Sequence, residues 1–138
     1  MVEAAAALRL GRLNWAGFDL LRPAGDELVL GPFQGKPACV RIRVGQGVCG
    51  TALARRETLV VEDVRRFPGH IACDPASRSE RVVPLFTGDG EPCGVLDLDS
   101  PVAGWFDRTD AEGLEGFARL LERRVDWAAA LAALRGSP

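Results

Sequence analysis

The chain has 138 residues, 47% hydrophobic and 26% charged, with a formal net charge of −2 at neutral pH. That size and balance suit one globular domain with its own core and exclude a disordered or fibrous chain. No concentrated basic stretch is present to neutralise phosphates, which argues against a nucleic-acid binder, and no run approaches the roughly 20 apolar residues a membrane helix needs. Four cysteines without a leader-like segment ahead of them fit a reducing compartment better than a secreted disulfide framework, so a cytoplasmic protein is expected.

In chain order, residues 3–10 are rich in alanine and leucine and read as a short helix that depends on packing. Asn14 to Leu21 and Glu27 to Gly31 read as a hairpin, with Pro23 and Gly25 supplying the bend between them. Ala38 to Val44 alternates Cys39, Arg41 and Arg43 against Val40, Ile42 and Val44, the period of a half-buried strand. Gly45 to Gly47 ends that strand, and Val48 to Arg56 reads as a helix with Cys49 near its start. There the positive end of the helix dipole is expected to lower the thiol pKa.

Leu59 to Glu62 is a further strand, whereas Asp63 to Ser79 shows no periodicity and carries turns at Pro68-Gly69 and Asp74-Pro75. A loop this long in a compact domain is usually functional or disordered. Arg81 to Phe86 and Cys93 to Asp99 are strands around a turn. The second puts Val95, Asp97 and Asp99 on one face and Leu96 and Leu98 on the other. Thr109 to Arg135 reads as one amphipathic helix, with capping-box spacing between Thr109 and Glu112 and a stop at Gly136. The whole predicts an α+β domain: a central, mainly antiparallel sheet of about six strands, with terminal helices packed on one face.

A free cysteine is most often a small core residue, and Cys39 and Cys93, on strands, fit that reading. Cys73 fits it least, because it lies in a polar, turn-rich loop beside His70 and Asp74, where a thiolate can be stabilised. His70, Cys73, Cys39 and Cys49 together leave a zinc site open as a competing reading, although no closely spaced cysteine pair supports it. His70 is either a general base or an ordinary loop residue. Asp97 and Asp99 repel one another if both face a site, which raises a pKa and keeps a proton available, or else they lie on a solvated strand face. Glu80 opens the preceding strand and can join them. The Gly45 and Gly47 region does not follow a phosphate-cradling pattern.

From Asn14 to about Phe117 the chain closely resembles the free methionine-(R)-sulfoxide reductases, which are GAF-domain proteins. The matching segments are NWAGF from Asn14, LVLGPFQGKPACVRI from Leu28, GVCGTA from Gly47, VEDV from Val61, FPGHIACDPASRSE from Phe67, VVPL from Val82 and GVLDLDSP from Gly94. The resemblance implies that Cys73 is the nucleophile, Cys39 the main resolving cysteine and Cys49 a third redox cysteine. It also implies that Glu80, Asp97 and Asp99 line the substrate site and that Trp15 forms an aromatic wall. The implied activity is thiol-dependent reduction of free L-methionine-(R)-sulfoxide, recycled by thioredoxin, with no metal or cofactor and with packing that leaves room for a homodimer. A non-catalytic regulatory GAF module that binds a small molecule is the rival. The chain departs from the family in three ways: Cys93 has no counterpart, Asp19 stands where relatives carry a tyrosine, and the amino terminus is shorter than usual.

Overall fold

The computed structural model describes residues 12–71 and 73–133, so the helix expected over residues 3–10 lies outside the described residues. Six strands form one sheet: β1 (Trp15–Leu21), β2 (Glu27–Gly35), β3 (Arg41–Arg43), β4 (Leu59–Val61), β5 (Ser79–Phe86) and β6 (Pro92–Ser100). Their order across the sheet is β3-β2-β1-β6-β5-β4, and every neighbouring pair is antiparallel. Helix α1 (Gly47–Arg55) lies between β3 and β4 in the chain, and α2 (Arg108–Arg124) and α3 (Trp127–Ala133) follow β6. Among the described residues no helix is long and apolar enough to cross a membrane.

The alternation along each strand divides the core in two, because successive side chains leave opposite faces. On one face Leu20, Leu85, Leu96 and Leu98 pack with Leu114, Ala118 and Trp127 of the carboxy-terminal helices. The opposite face sets Leu28, Val82 and Val95 against Val48, Ala52 and Leu53 of α1. The carboxy-terminal helices therefore share one face as expected, while α1 covers the other. Each fully buried leucine contributes roughly 2–3 kcal/mol of apolar transfer. Helix α1 sits so close to the end of β3 that a Cβ at Gly50 would lie 2.4 Å from the Arg43 carbonyl oxygen, so only glycine fits.

Several boundaries differ from the sequence reading. Strand β2 continues past Pro32 to Gly35, because an irregularity in its pairing with β1, between Gly17 and Asp19, absorbs the residue that cannot donate. Strand β3 is shorter than Ala38–Val44, since Cys39 leaves the sheet to bond with Cys73. The capping box uses Asp107 and Asp110 rather than Thr109 and Glu112: Asp107 Oδ1 accepts from the Asp110 amide at 2.9 Å, and Asp110 Oδ2 from the Asp107 amide at 3.0 Å. The long terminal helix is also divided. Val125 is extended and Asp126 Oδ1 accepts from the Ala129 amide, so an aspartate able to cap starts a new helix and turns Trp127 into the core.

Candidate active site

Register brings three carboxyls together on the face that α1 covers. Trp15 of β1 is opposite Asp99 of β6, and Asp99 is opposite Glu80 of β5. Two residues along, Gly17, Asp97 and Val82 form the next row, and Asp19 and Val95 follow. Since residues two apart share a face, Trp15, Asp19, Asp97, Asp99 and Glu80 all point to one side. They line a single cavity of about 50 Å³ together with Cys39, Cys49, His70 and Cys73. Gly17 leaves the room: a Cβ there would meet the Trp15 ring at 2.5 Å and Phe33 at 2.6 Å. The Trp15 indole thus lies over the glycine, stacks on Phe33 at 5.7 Å, and donates to the Lys36 carbonyl at 3.2 Å.

The cavity is roofed by the segment between β4 and β5. Asp74 Oδ1 accepts from the Ala76 amide at 2.9 Å, while Asn14 Nδ2 donates to Asp74 Oδ2 at 3.1 Å and to Ser77 Oγ at 2.9 Å. These bonds fix the loop to the start of β1. Ile71 presses on Gly47, where a Cβ would lie 3.1 Å from it, and the positive φ of +63° there also favours glycine. So held, the loop delivers Cys73 to Cys39, and the two form a disulfide with Cα atoms 5.5 Å apart. Cys49 and Cys93 are free and buried. Cys93 belongs to the core on the far face, as its place on a strand suggested, and its thiol is pushed up to about 12 by burial and by Glu122.

Removing carboxyls from water favours their neutral forms. Burial raises Asp99 to about 7 and Asp19 to about 6, the latter moderated by a hydrogen bond from the Cys49 thiol. Glu80 and Asp97 are driven well above the usual range by burial first and then by mutual repulsion with Asp99. The cluster therefore stores protons at neutral pH. The same surroundings overturn the expectation for Cys49: its thiol is pushed well above normal first by burial and then by repulsion from whichever of Asp97, Glu80, Asp19 and Asp99 is ionised. Burial lowers His70, leaving it neutral at pH 7. Among the described residues the two groupings able to hold a metal are Asp19, Cys49 and Asp97, and Glu80, Asp97 and Asp99. Neither contains His70, Cys39 or Cys73, three of the four residues of the competing zinc reading; Cys49, the fourth, belongs to the first grouping.

The GAF domain family profile matches residues 2–125. The chain is 56% identical over 115 residues to the free methionine-R-sulfoxide reductase of Escherichia coli, covering 83% of this chain and 68% of that one. The chain belongs to the free methionine-R-sulfoxide reductase family. The chain is also similar to Protein YtsP of Bacillus subtilis, 55% identical over 116 residues, with 84% of this chain and 71% of that protein covered. It is similar as well to the X-ray structure of the Neisseria meningitidis free methionine-R-sulfoxide reductase in complex with its substrate. That structure superposes with a TM-score of 0.84 at 49% identity, covering 94% of this chain and 77% of that one.

All seven residues the family resemblance singled out, Trp15, Cys39, Cys49, Cys73, Glu80, Asp97 and Asp99, line the one cavity. Two contributors were not among them. Asp19, noted only as a departure from the family, is a buried carboxyl of the cavity wall, and the strand period places it four residues after Trp15 on the same face. Asn14 is the loop anchor, for which the sequence carries no local signal, since its partners are 60 and 63 residues away.

Proposed function

We propose that this chain reduces free L-methionine-(R)-sulfoxide to methionine through Cys73. The observation that carries the reading is a disulfide between Cys39 and Cys73 opening onto a cavity walled by buried carboxyls, whose burial favours the protonated form. In a reducing compartment a disulfide is ordinarily a catalytic intermediate, not a structural staple.

The Cys73 thiolate attacks the sulfoxide sulfur while a carboxyl donates a proton to the oxygen, without which oxygen leaves poorly. Asp99 and its partners Asp97 and Glu80 are the proton source. The attack forms a bond between Cys73 Sγ and the substrate sulfur; the protonated oxygen then passes to Cys73 Sγ as the S–O bond and that S–S bond both break, so the substrate leaves as a thioether with two more electrons and Cys73 is left as a sulfenic acid. The Cys39 thiol then attacks Cys73 Sγ, expelling water and forming the disulfide. A dithiol such as thioredoxin returns two electrons and two protons, which balances sulfoxide plus dithiol against thioether, disulfide and water. The ionised member of the carboxyl cluster pairs with the substrate ammonium, and Trp15 packs on its apolar end. A roof anchored by Asn14 excludes a polypeptide, so peptide-bound sulfoxide is not a substrate. Cys49 is the third thiol of the relay, reacting only where the local carboxyls are protonated.

Methionine release under dithiothreitol, compared for free R, free S and peptide-bound sulfoxide, tests the reading. Turnover of the free R form alone is expected. No turnover of any form, with binding retained, would instead make the chain a regulatory GAF module.

A further inference from the structure

The wall of the cavity holds a second constellation, which joins Asp97 and Cys49 of the proposed reaction to Asp19, a residue that reaction leaves without a part. Cys49 Sγ and a carboxylate oxygen from each of Asp19 and Asp97 all lie within 4.8 Å of one another. The three side chains come from different elements, α1, β1 and β6, and each is buried, with Asp19 3%, Cys49 5% and Asp97 7% exposed. Independently, Asp97 Oδ1 is buried and accepts no hydrogen bond. An unpaired oxygen in such a place has given up its hydration for nothing unless a ligand meets it.

We propose that Asp19, Cys49 and Asp97 form a Zn²⁺ site, with the Cys49 sulfur and one oxygen from each aspartate as ligands and a water in the fourth position. Sulfur together with two carboxylates selects a borderline-soft ion over Mg²⁺ or Ca²⁺, which take oxygen alone. Bonds of about 2.0–2.3 Å draw the three atoms together by small side-chain shifts. The cavity of about 50 Å³ leaves room for the ion and its water. Binding exchanges protons for metal: the thiol and any protonated aspartic acid release theirs, and no electrons move. The ion also reverses the local charge that keeps Cys49 a thiol, because a coordinated thiol deprotonates. An occupied site takes Cys49 out of thiol exchange.

The other grouping, Glu80, Asp97 and Asp99, has oxygen donors only, so it differs from the proposed site in both metal preference and spectrum. The test uses the oxidised chain, in which the Cys39–Cys73 bond prevents those two sulfurs from ligating. Zn²⁺ and Mg²⁺ are titrated calorimetrically, and Co²⁺ is added separately to follow thiolate-to-metal charge transfer. One equivalent of Zn²⁺, much weaker Mg²⁺ binding and a Co²⁺ charge-transfer band are expected. Asp19→Asn and Cys49→Ser should each weaken Zn²⁺ by roughly tenfold or more, and Cys49→Ser should abolish the band. Thermal melts of the metal-free variants establish that both fold, and Cys49→Ser decides alone if Asp19→Asn does not. The proposal is overturned by absence of stoichiometric Zn²⁺ binding, by a Co²⁺ complex without the band, by Mg²⁺ binding as tight as Zn²⁺, or by undiminished affinity in a folded variant.

Discussion

Replacing Asp99 with asparagine should flatten the pH dependence of folding. Asp99 rises from 3.8 to about 7, chiefly because burial removes it from water. At about 1.4 kcal/mol per pH unit that displacement corresponds to about 4 kcal/mol. The sign follows from proton counts: between pH 4 and 7 the folded state keeps a proton that the unfolded state has lost. Stability is therefore full below about pH 4, falls through this window, and levels off above pH 7. Urea unfolding of the oxidised chain at intervals from pH 4 to 8 should show the wild type losing about 4 kcal/mol more than Asp99→Asn across that range. Glu80, Asp97 and Asp19 sustain the slope that remains in the variant. The proton that sets this slope also serves the proposed reaction, so methionine release by the wild type should decline above about pH 7. Parallel stability curves for wild type and variant would refute the assignment of a buried, neutral Asp99.

Reducing the Cys39–Cys73 bond, which spans 34 residues, should cost about 4 kcal/mol of unfolded-state constraint. In calorimetry that lowers Tm by roughly 10–15 °C for a domain of this size, and an unchanged Tm would contradict it. In single-turnover assays without reductant, Cys73→Ser should release no methionine, whereas Cys39→Ser should release one equivalent and stop. Full steady-state activity of Cys73→Ser would rule the mechanism out. Asp107→Ala should lose about 1 kcal/mol through its cap bonds to Asp110, while Thr109→Ala should cost less than half of that in the same denaturation series. Gly17→Ala should displace the Trp15 ring, quenching or shifting its fluorescence and raising KM by at least roughly tenfold, because a Cβ there has no space.

The strand periods were legible because each alternation is local. The pattern of Cys93 to Asp99 already separated Asp97 and Asp99 from Leu96 and Leu98, and the two cores lie on those faces. The unpatterned stretch from Asp63 to Ser79 marked the loop that carries Cys73, and the long matching segments carried the family. Helix limits were less legible, since Asp107 and Asp126 are capping residues whose choice over neighbours such as Thr109 depends on where the chain can turn into the core.

What tertiary structure decided was the meaning of the polar residues. Nothing within Val48 to Arg56 shows that Cys49 meets four carboxyls, so the local expectation of a lowered thiol pKa failed once Asp97, Glu80, Asp19 and Asp99 arrived from three strands. The same folding turned Asp19 from an oddity into part of the wall and joined Cys39 to Cys73 across 34 residues. Backbone periodicity is fixed by neighbours along the chain. Burial and charge are fixed by neighbours in space, and both proton affinity and thiol reactivity answer to the second.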